Sequence, residues 1–169
     1  MSIKMENCMN YEDYENAARK FIQISNAISD GWTLHEGIDS HSLHLRKETF
    51  LRIKNEEQDS LIKAEYVISY STSYCVPIFA FNLWNSNGVL LTLEEIRNMA
   101  FIKISQGDFY SVITQQEHPL FFRPYYMIHP CHTEQLLSKF KAESKNLIVT
   151  FISLISPLIK FNLPLNYAM

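Results

Sequence analysis

The stretch LIKAEYVISYSTSYCVPIFAFNLW, residues 61–84, decides the fold. Its first ten residues alternate, with Ile62, Ala64, Tyr66, Ile68 and Tyr70 on one face of a strand. The run VPIFAFNLW, Val76 to Trp84, is almost continuously apolar, which predicts a central strand covered on both faces. Just upstream, SLHLRKETFLRI places Leu43, Leu45, Leu51 and Ile53 on one face and His44, Arg46, Glu48 and Arg52 on the other. A polar turn, Asn55 to Ser60, joins that segment to the next. Three sequential strands with short connections predict an antiparallel meander.

Helices are expected on either side of it. In the run Asn10 to Gly31, Tyr14, Ala17, Ala18, Phe21, Ser25 and Ile28 recur at the helical period. Asn10 can cap its start and Gly31 follows its end. TLEE forms a capping box, Thr92 with Glu95, ahead of a short helix from about Leu93 to Ala100, and QGD (106–108) breaks the chain after it. FYSVITQQ and PYYMI read as a further pair of strands, separated by EHPLFFRP. After Cys131, Thr133 reads as the cap of a helix whose apolar face is Leu136, Leu137 and Phe140. A last helix is expected from near Ser144, ended or kinked by Pro157. Strands and helices are segregated along the chain, so the class is α+β, in a single domain spanning residues 1–169.

Composition excludes several function classes. With 47% hydrophobic, 13% aromatic and 20% charged residues, the chain is globular rather than disordered. Its net charge of −3 forms no basic stripe, which disfavours nucleic-acid partners. Four glycines leave no phosphate-cradling loop. The longest apolar run, Leu147 to Ile159, is interrupted by Pro157 and falls short of the roughly 20 residues of a membrane span. The opening MSIKMENCMNYED lacks the apolar core of a secretion signal. Cys8, Cys75 and Cys131 are odd in number and irregular in spacing, which is no disulfide framework and suits a reducing compartment. Cys75 reads as structural, beside the buried strand.

Chemistry concentrates in YYMIHPCHTEQLL, residues 125–137. Cys131 lies at a strand end just before a helix, whose positive end favours a thiolate. His129 and His132 flank it, and Pro130 holds it outside regular structure. Local chemistry leaves several readings open. Cys131 can be a packed small hydrophobe, a nucleophile that takes and passes on an acyl group, or a metal ligand with His129 and His132. It can also be a hydrolase nucleophile with His118 or His35 as a distant base. The metal reading lacks a second ligand pair at zinc spacing.

Two neighbouring motifs narrow the choice. TQQEHP (114–119) followed by PYYMIHPCHT (124–133) resembles the autophagy-related conjugating enzymes of the protein-ten family, themselves similar to ubiquitin-conjugating enzymes. A looser match runs through residues 68–84 and 88–96. The resemblance implies a ubiquitin-conjugating-enzyme-like core: a meander sheet flanked by helices, with an extra strand pair ahead of the cysteine. It implies that Cys131 accepts a ubiquitin-like modifier from an activating enzyme as a thioester and passes it to a lysine of an acceptor protein. In that family the modifier is autophagy protein twelve and the acceptor is protein five. No cofactor or metal is called for. The partners are the activating enzyme, the modifier and the acceptor, with no nucleic acid and no integral membrane segment. The expected location is the cytoplasm, with recruitment to the autophagosome assembly site.

Ordinary ubiquitin-conjugating enzymes carry His-Pro-Asn, with the cysteine several residues later. Here the cysteine follows His-Pro at once and that Asn is missing. Another donor must therefore meet the developing oxyanion. Gln115 and Gln116, on the neighbouring strand, and His129 are the candidates for stabilising it or organising the site. The resemblance also implies a tyrosine near the cysteine that helps receive the acceptor, Tyr70 or Tyr74. The competing reading is a non-catalytic α+β interaction module with a packed cysteine.

Overall fold

The computed structural model describes residues 9–54, 59–99, 101–104 and 109–169, the side chains of Phe109, Tyr110, Cys131 and His132 excepted. Ala100, residues 55–58, the QGD segment and Cys8 therefore lie outside the described residues. Helix α1 spans Tyr11–Ile28. The strands are β1 Thr33–His35, β2 His44–Lys54, β3 Asp59–Ser71, β4 Val76–Trp84, β5 Ile113–Glu117 and β6 Pro124–Ile128. Helix α2 is Leu93–Asn98, α3 is the single turn Phe109–Val112, α4 is Cys131–Phe140 and α5 is Leu147–Ile155. A 3₁₀ turn, Leu165–Ala168, follows.

The strands form one sheet in the order β1-β2-β3-β4-β6-β5, every neighbouring pair antiparallel. The meander β2-β3-β4 is as expected. The later strand pair joins it out of sequence, β6 lying against β4 and β5 forming the far edge.

One face of the sheet carries the main core. Leu45, Ile62, Ala64, Tyr66, Ile68, Phe79, Phe81, Leu83, Tyr126 and Ile128 are buried there with Phe21 of α1 and Ile148, Phe151, Ile152 and Ile155 of α5. Period-two alternation on the strands and helical spacing on α1 put these side chains in one layer. Asn10 caps α1 as expected, accepting from the Asp13 N–H, and Tyr14, Ala17, Ala18, Phe21 and Ser25 are its buried face. The Tyr14 hydroxyl lies 3.1 Å from the Leu43 carbonyl and 3.0 Å from that of Ile68, pinning α1 across β2 and β3. Asn146 starts α5 by accepting from Ile148 and Val149, and its amide donates to the Ala17 carbonyl of α1 at 2.9 Å. The helix therefore begins at this cap rather than near Ser144, and it ends before Pro157.

The opposite face is smaller and mixed. Val67, Ala80, Tyr125 and Met127 form its apolar patch, with Phe121 of the β5–β6 connector packed on it. Beside the patch, the fully buried Glu65 carboxylate receives Arg46 at 2.9 Å, Arg123 at 3.1 Å and the Tyr125 hydroxyl at 2.7 Å. A buried carboxylate requires such partners. They tie the connector to the centre of the sheet.

Three local readings are corrected. Residues 109–112 are a helical turn and not strand; pairing stops at the His129 N–H to Val112 carbonyl bond, because Pro130 already holds helical angles and turns the backbone out of the sheet. Helix α4 starts at Cys131 rather than after Thr133, since Pro130 already holds helical angles of φ −65° and ψ −21°. Thr133 is thus inside the helix, its hydroxyl donating to the Pro130 carbonyl at 3.1 Å. Of the expected apolar face only Leu137 is buried; Leu136 and Phe140 are 40% and 44% exposed.

The TLEE segment is the capping box read from sequence, with both reciprocal bonds formed. Cys75 departs from the reading of a chain with no disulfide framework: it is disulfide-bonded. No described helix is long and apolar enough to cross a membrane.

Candidate active site

Strand β6 delivers the His-Pro-Cys segment. Its five residues lie between β4 and β5, and four of them, Tyr125 to Ile128, are buried. The Tyr126 hydroxyl donates to the Leu91 carbonyl at 2.9 Å, and the Asn82 amide donates to the Pro124 carbonyl at 2.9 Å. The His129 N–H donates to Val112 at 2.7 Å, which closes the strand end. Pro130 then turns the backbone directly into α4, with Cys131 as its first residue.

Pro130 offers no side-chain cap. The Thr133 and Glu134 N–H groups donate to the Pro130 carbonyl, and the N–H groups ahead of them at the start of the helix have no intrahelical acceptor. With the positive end of the helix axis they make Cys131 a position that favours negative charge.

The two candidate tyrosines separate clearly. Tyr74 sits in the turn between β3 and β4, and its ring meets that of His129 edge-on at 5.7 Å. It is 37% exposed. Tyr70 lies on β3, donates its hydroxyl to the Met9 carbonyl at 2.7 Å and packs its ring between Tyr11 and Tyr14. The structure therefore brings Tyr74, and not Tyr70, to the His-Pro-Cys segment.

Gln115 and Gln116 lie on β5 opposite Tyr126 and Tyr125. Adjacent strand residues point to opposite faces, so the two amides cannot converge on one point. The Gln116 amide faces the connector side and contacts the Met127 sulfur at 3.0 Å. Gln115 is exposed, on the helix side. Its Cα lies two rungs, about 7 Å, from the Ile113–Ile128 end of the ladder.

The histidines named as distant bases are placed elsewhere. His118 is fully buried at the far end of β5, roughly 17 Å along the strand from Ile113. It sits against Phe121 and Tyr125, and its Nδ1 accepts from the Leu120 N–H at 3.2 Å. Burial first, then the nearby His44 and Arg123, push its pKa down to about 4. It is a neutral structural histidine. His35 stacks on His44 at 5.1 Å at the opposite edge of the sheet. A hydrolase site built on either histidine is not formed.

Sequence reading missed the Glu65 network. Its signal was present: Glu65 shares the strand face of Val67 and Ser69, opposite the core face, where a lone carboxylate needs cationic partners. The pairing of Tyr74 with His129 had no sequence signal, because it depends on how the β3–β4 turn folds over the end of β6.

A six-stranded antiparallel sheet packed on helices, with a cysteine at the junction from strand into helix, defines an α+β protein that presents one thiol position at a sheet end. The chain belongs to the autophagocytosis associated protein family; residues 6–166 match the model of its active-site domain. It is similar to the ubiquitin-like-conjugating enzymes ATG10 of Homo sapiens, 33% identical over 69% of this chain, and of Arabidopsis thaliana, 27% identical over 60%. The Dictyostelium discoideum enzyme of the same name is 27% identical over 62% of the chain. The chain spans about half the length of these curated relatives, 57%, 50% and 53% respectively. A crystal structure of the autophagic E2 Atg10 shares the fold, with a TM-score of 0.54 at 17% identity, covering 90% of this chain and 94% of that one.

Proposed function

We propose that this protein is a conjugating enzyme of autophagy that carries a ubiquitin-like modifier on Cys131 and transfers it to a lysine of an acceptor protein. The observation that carries this reading is the junction itself: β6 runs through His129 and Pro130 directly into α4, with Cys131 in the first helical turn. Family membership over residues 6–166 supports the reaction class.

The chemistry follows from that position. The Cys131 thiolate attacks the carbonyl carbon of the modifier's C-terminal thioester on the activating enzyme. A C–S bond forms, the old C–S bond breaks, and the activating enzyme's thiolate leaves. One thioester replaces another, so the step is close to balanced. The developing oxyanion is met by the backbone N–H groups that open α4 ahead of Thr133, which take the place of the absent Asn. Neither glutamine is needed for this, and Gln115→Ala or Gln116→Ala enzyme is expected to charge within about twofold of wild type.

In the second step the neutral lysine amine attacks the thioester, loses a proton and displaces the Cys131 thiolate. We assign Tyr74 to the acceptor's approach, because its exposed ring borders His129. His129 organises the segment through that ring contact and its backbone bond to Val112. The modifier is autophagy protein twelve and the acceptor protein five, in the cytoplasm at the site of autophagosome assembly.

The test is charging with activating enzyme, modifier and ATP, read on a non-reducing gel. A thiol-sensitive adduct that disappears in Cys131→Ala is the expected result. Absence of any adduct with wild-type protein would overturn the enzyme and favour a non-catalytic interaction module.

A further inference from the structure

Strand β5 is one edge of the sheet, β1 being the other, and its register with β6 fixes which backbone groups face outward. Its ladder with β6 pairs residues whose numbers run from Ile113↔Ile128 to Glu117↔Pro124. Bonds from the His118 N–H to the Arg123 carbonyl and from the His129 N–H to the Val112 carbonyl flank that ladder. In an antiparallel pair the hydrogen-bonded residues alternate. Thr114 and Gln116 therefore bond inward to β6, while Ile113, Gln115 and Glu117 turn their N–H and C=O groups outward; Ile113 is only 1% exposed, so the accessible part of the edge is Gln115 and Glu117. Among the described residues no strand pairs with that edge. Ile113–Glu117 contains no proline, no lysine and no bulge, and its one charged residue, Glu117, lies at the end away from Cys131.

Its direction matters. β5 runs away from the site, beginning at Ile113 beside the strand end that leads to Cys131 and finishing at Glu117. An extended chain added antiparallel to β5 runs the other way, toward Cys131, and arrives with its carboxyl end. A modifier handed over as a C-terminal thioester must approach in that sense. The five rungs span about 17 Å, and crossing the ends of β5 and β6 to Cys131 takes about 10 Å more, the width of two strands. An extended tail of about eight residues covers the whole path.

We propose that the outer edge of β5 binds the C-terminal tail of the ubiquitin-like modifier as an added antiparallel strand. The outward N–H and C=O groups of Gln115 and Glu117 hold the tail's backbone, and the tail's carboxyl end reaches Cys131. This rests on the conjugating-enzyme reading. Main-chain bonding supplies the affinity, so the edge tolerates varied tail side chains.

The register supplies a selective test. A proline at 115 removes an outward N–H and places its ring in the path of an incoming strand, yet it breaks no β5–β6 bond. Gln115→Pro is expected to slow charging of Cys131 roughly tenfold, against about twofold or less for Gln115→Ala, which keeps the N–H. Equal loss in both variants would assign the effect to the side chain and overturn strand addition, as would normal charging of Gln115→Pro.

Amide exchange in wild-type protein keeps the test independent of the variant's folding. A synthetic peptide of the modifier's last eight residues should slow exchange at Gln115 and Glu117 by roughly tenfold, with Thr114 and Gln116 protected before and after. No slowing, or slowing by the acceptor protein in place of the peptide, overturns the proposal. Failure of wild-type protein to charge at all would instead remove the conjugating-enzyme reading on which it stands.

Discussion

Tyr70 and Tyr74 are four positions apart and face different tasks. Tyr70 is structural: its hydroxyl holds the Met9 carbonyl and its ring fills the space between Tyr11 and Tyr14. Tyr70→Phe is expected to lose about 1 kcal/mol in denaturant unfolding while charging and transfer continue at wild-type rates. Tyr74→Ala should leave charging intact and slow discharge to the acceptor lysine by roughly tenfold, with Tyr74→Phe restoring most of the rate, since the ring and not the hydroxyl borders His129. A single-turnover discharge assay separates the two steps. A Tyr74→Ala enzyme that discharges normally would end its assignment to the acceptor. Sequence alone could not divide these residues. Both fall in one aromatic-rich stretch, and only the turn that carries Tyr74 over the strand end distinguishes them.

At the scale of elements, most of the fold was legible and the reasons are local. The alternation of Ile62, Ala64, Tyr66 and Ile68, the spacing along α1 and the Thr92–Glu95 box each encode structure within a few residues. The insertion of β6 between β4 and β5 was not legible, because nothing in PYYMI specifies a partner strand 40 residues upstream. The helical turn at 109–112 is hidden for a related reason: its aromatic and β-branched residues suit a strand, and the pairing ends only because the facing chain turns helical at Pro130. Arg123 joins the connector to Glu65 and also donates to the Tyr125 hydroxyl. Arg123→Ala is expected to destabilise the protein by about 1–3 kcal/mol, leaving Glu65 with Arg46 and Tyr125. A double-mutant cycle with Tyr125→Phe should show coupling, as both act on one carboxylate. Additive losses would mean that the three groups do not act together.

For the whole molecule, acidity is the informative variable. His118 is held neutral in the fold, with its pKa depressed to about 4 from the ordinary 6.5. Between those two values the unfolded chain binds the proton and the folded chain does not. Its contribution is therefore fully present above about pH 6.5 and is lost as the pH falls toward 4. His44, also depressed chiefly by burial, acts in the same direction. Chemical denaturation from pH 7 to pH 4.5 should show stability falling with acidity, and His118→Gln, whose side chain can still accept from the Leu120 N–H, should flatten the curve. An unchanged slope in that variant would place the acid sensitivity elsewhere.

The seam between β4 and β6 has a consequence for the order of assembly. It consists of two rungs, Ala80↔Met127 and Phe81↔Tyr126, and the strands it joins are separated by all of residues 85–123. The β2-β3-β4 meander closes through short turns, whereas the seam closes a long loop, and long loops are slower to close. In refolding, pulse-labelled amides of β3 and β4 should be protected first and those of β6 last. The cysteine takes its place at the head of α4 only when that final docking is complete, so under the proposed function a refolding chain should charge only after the β6 amides are protected.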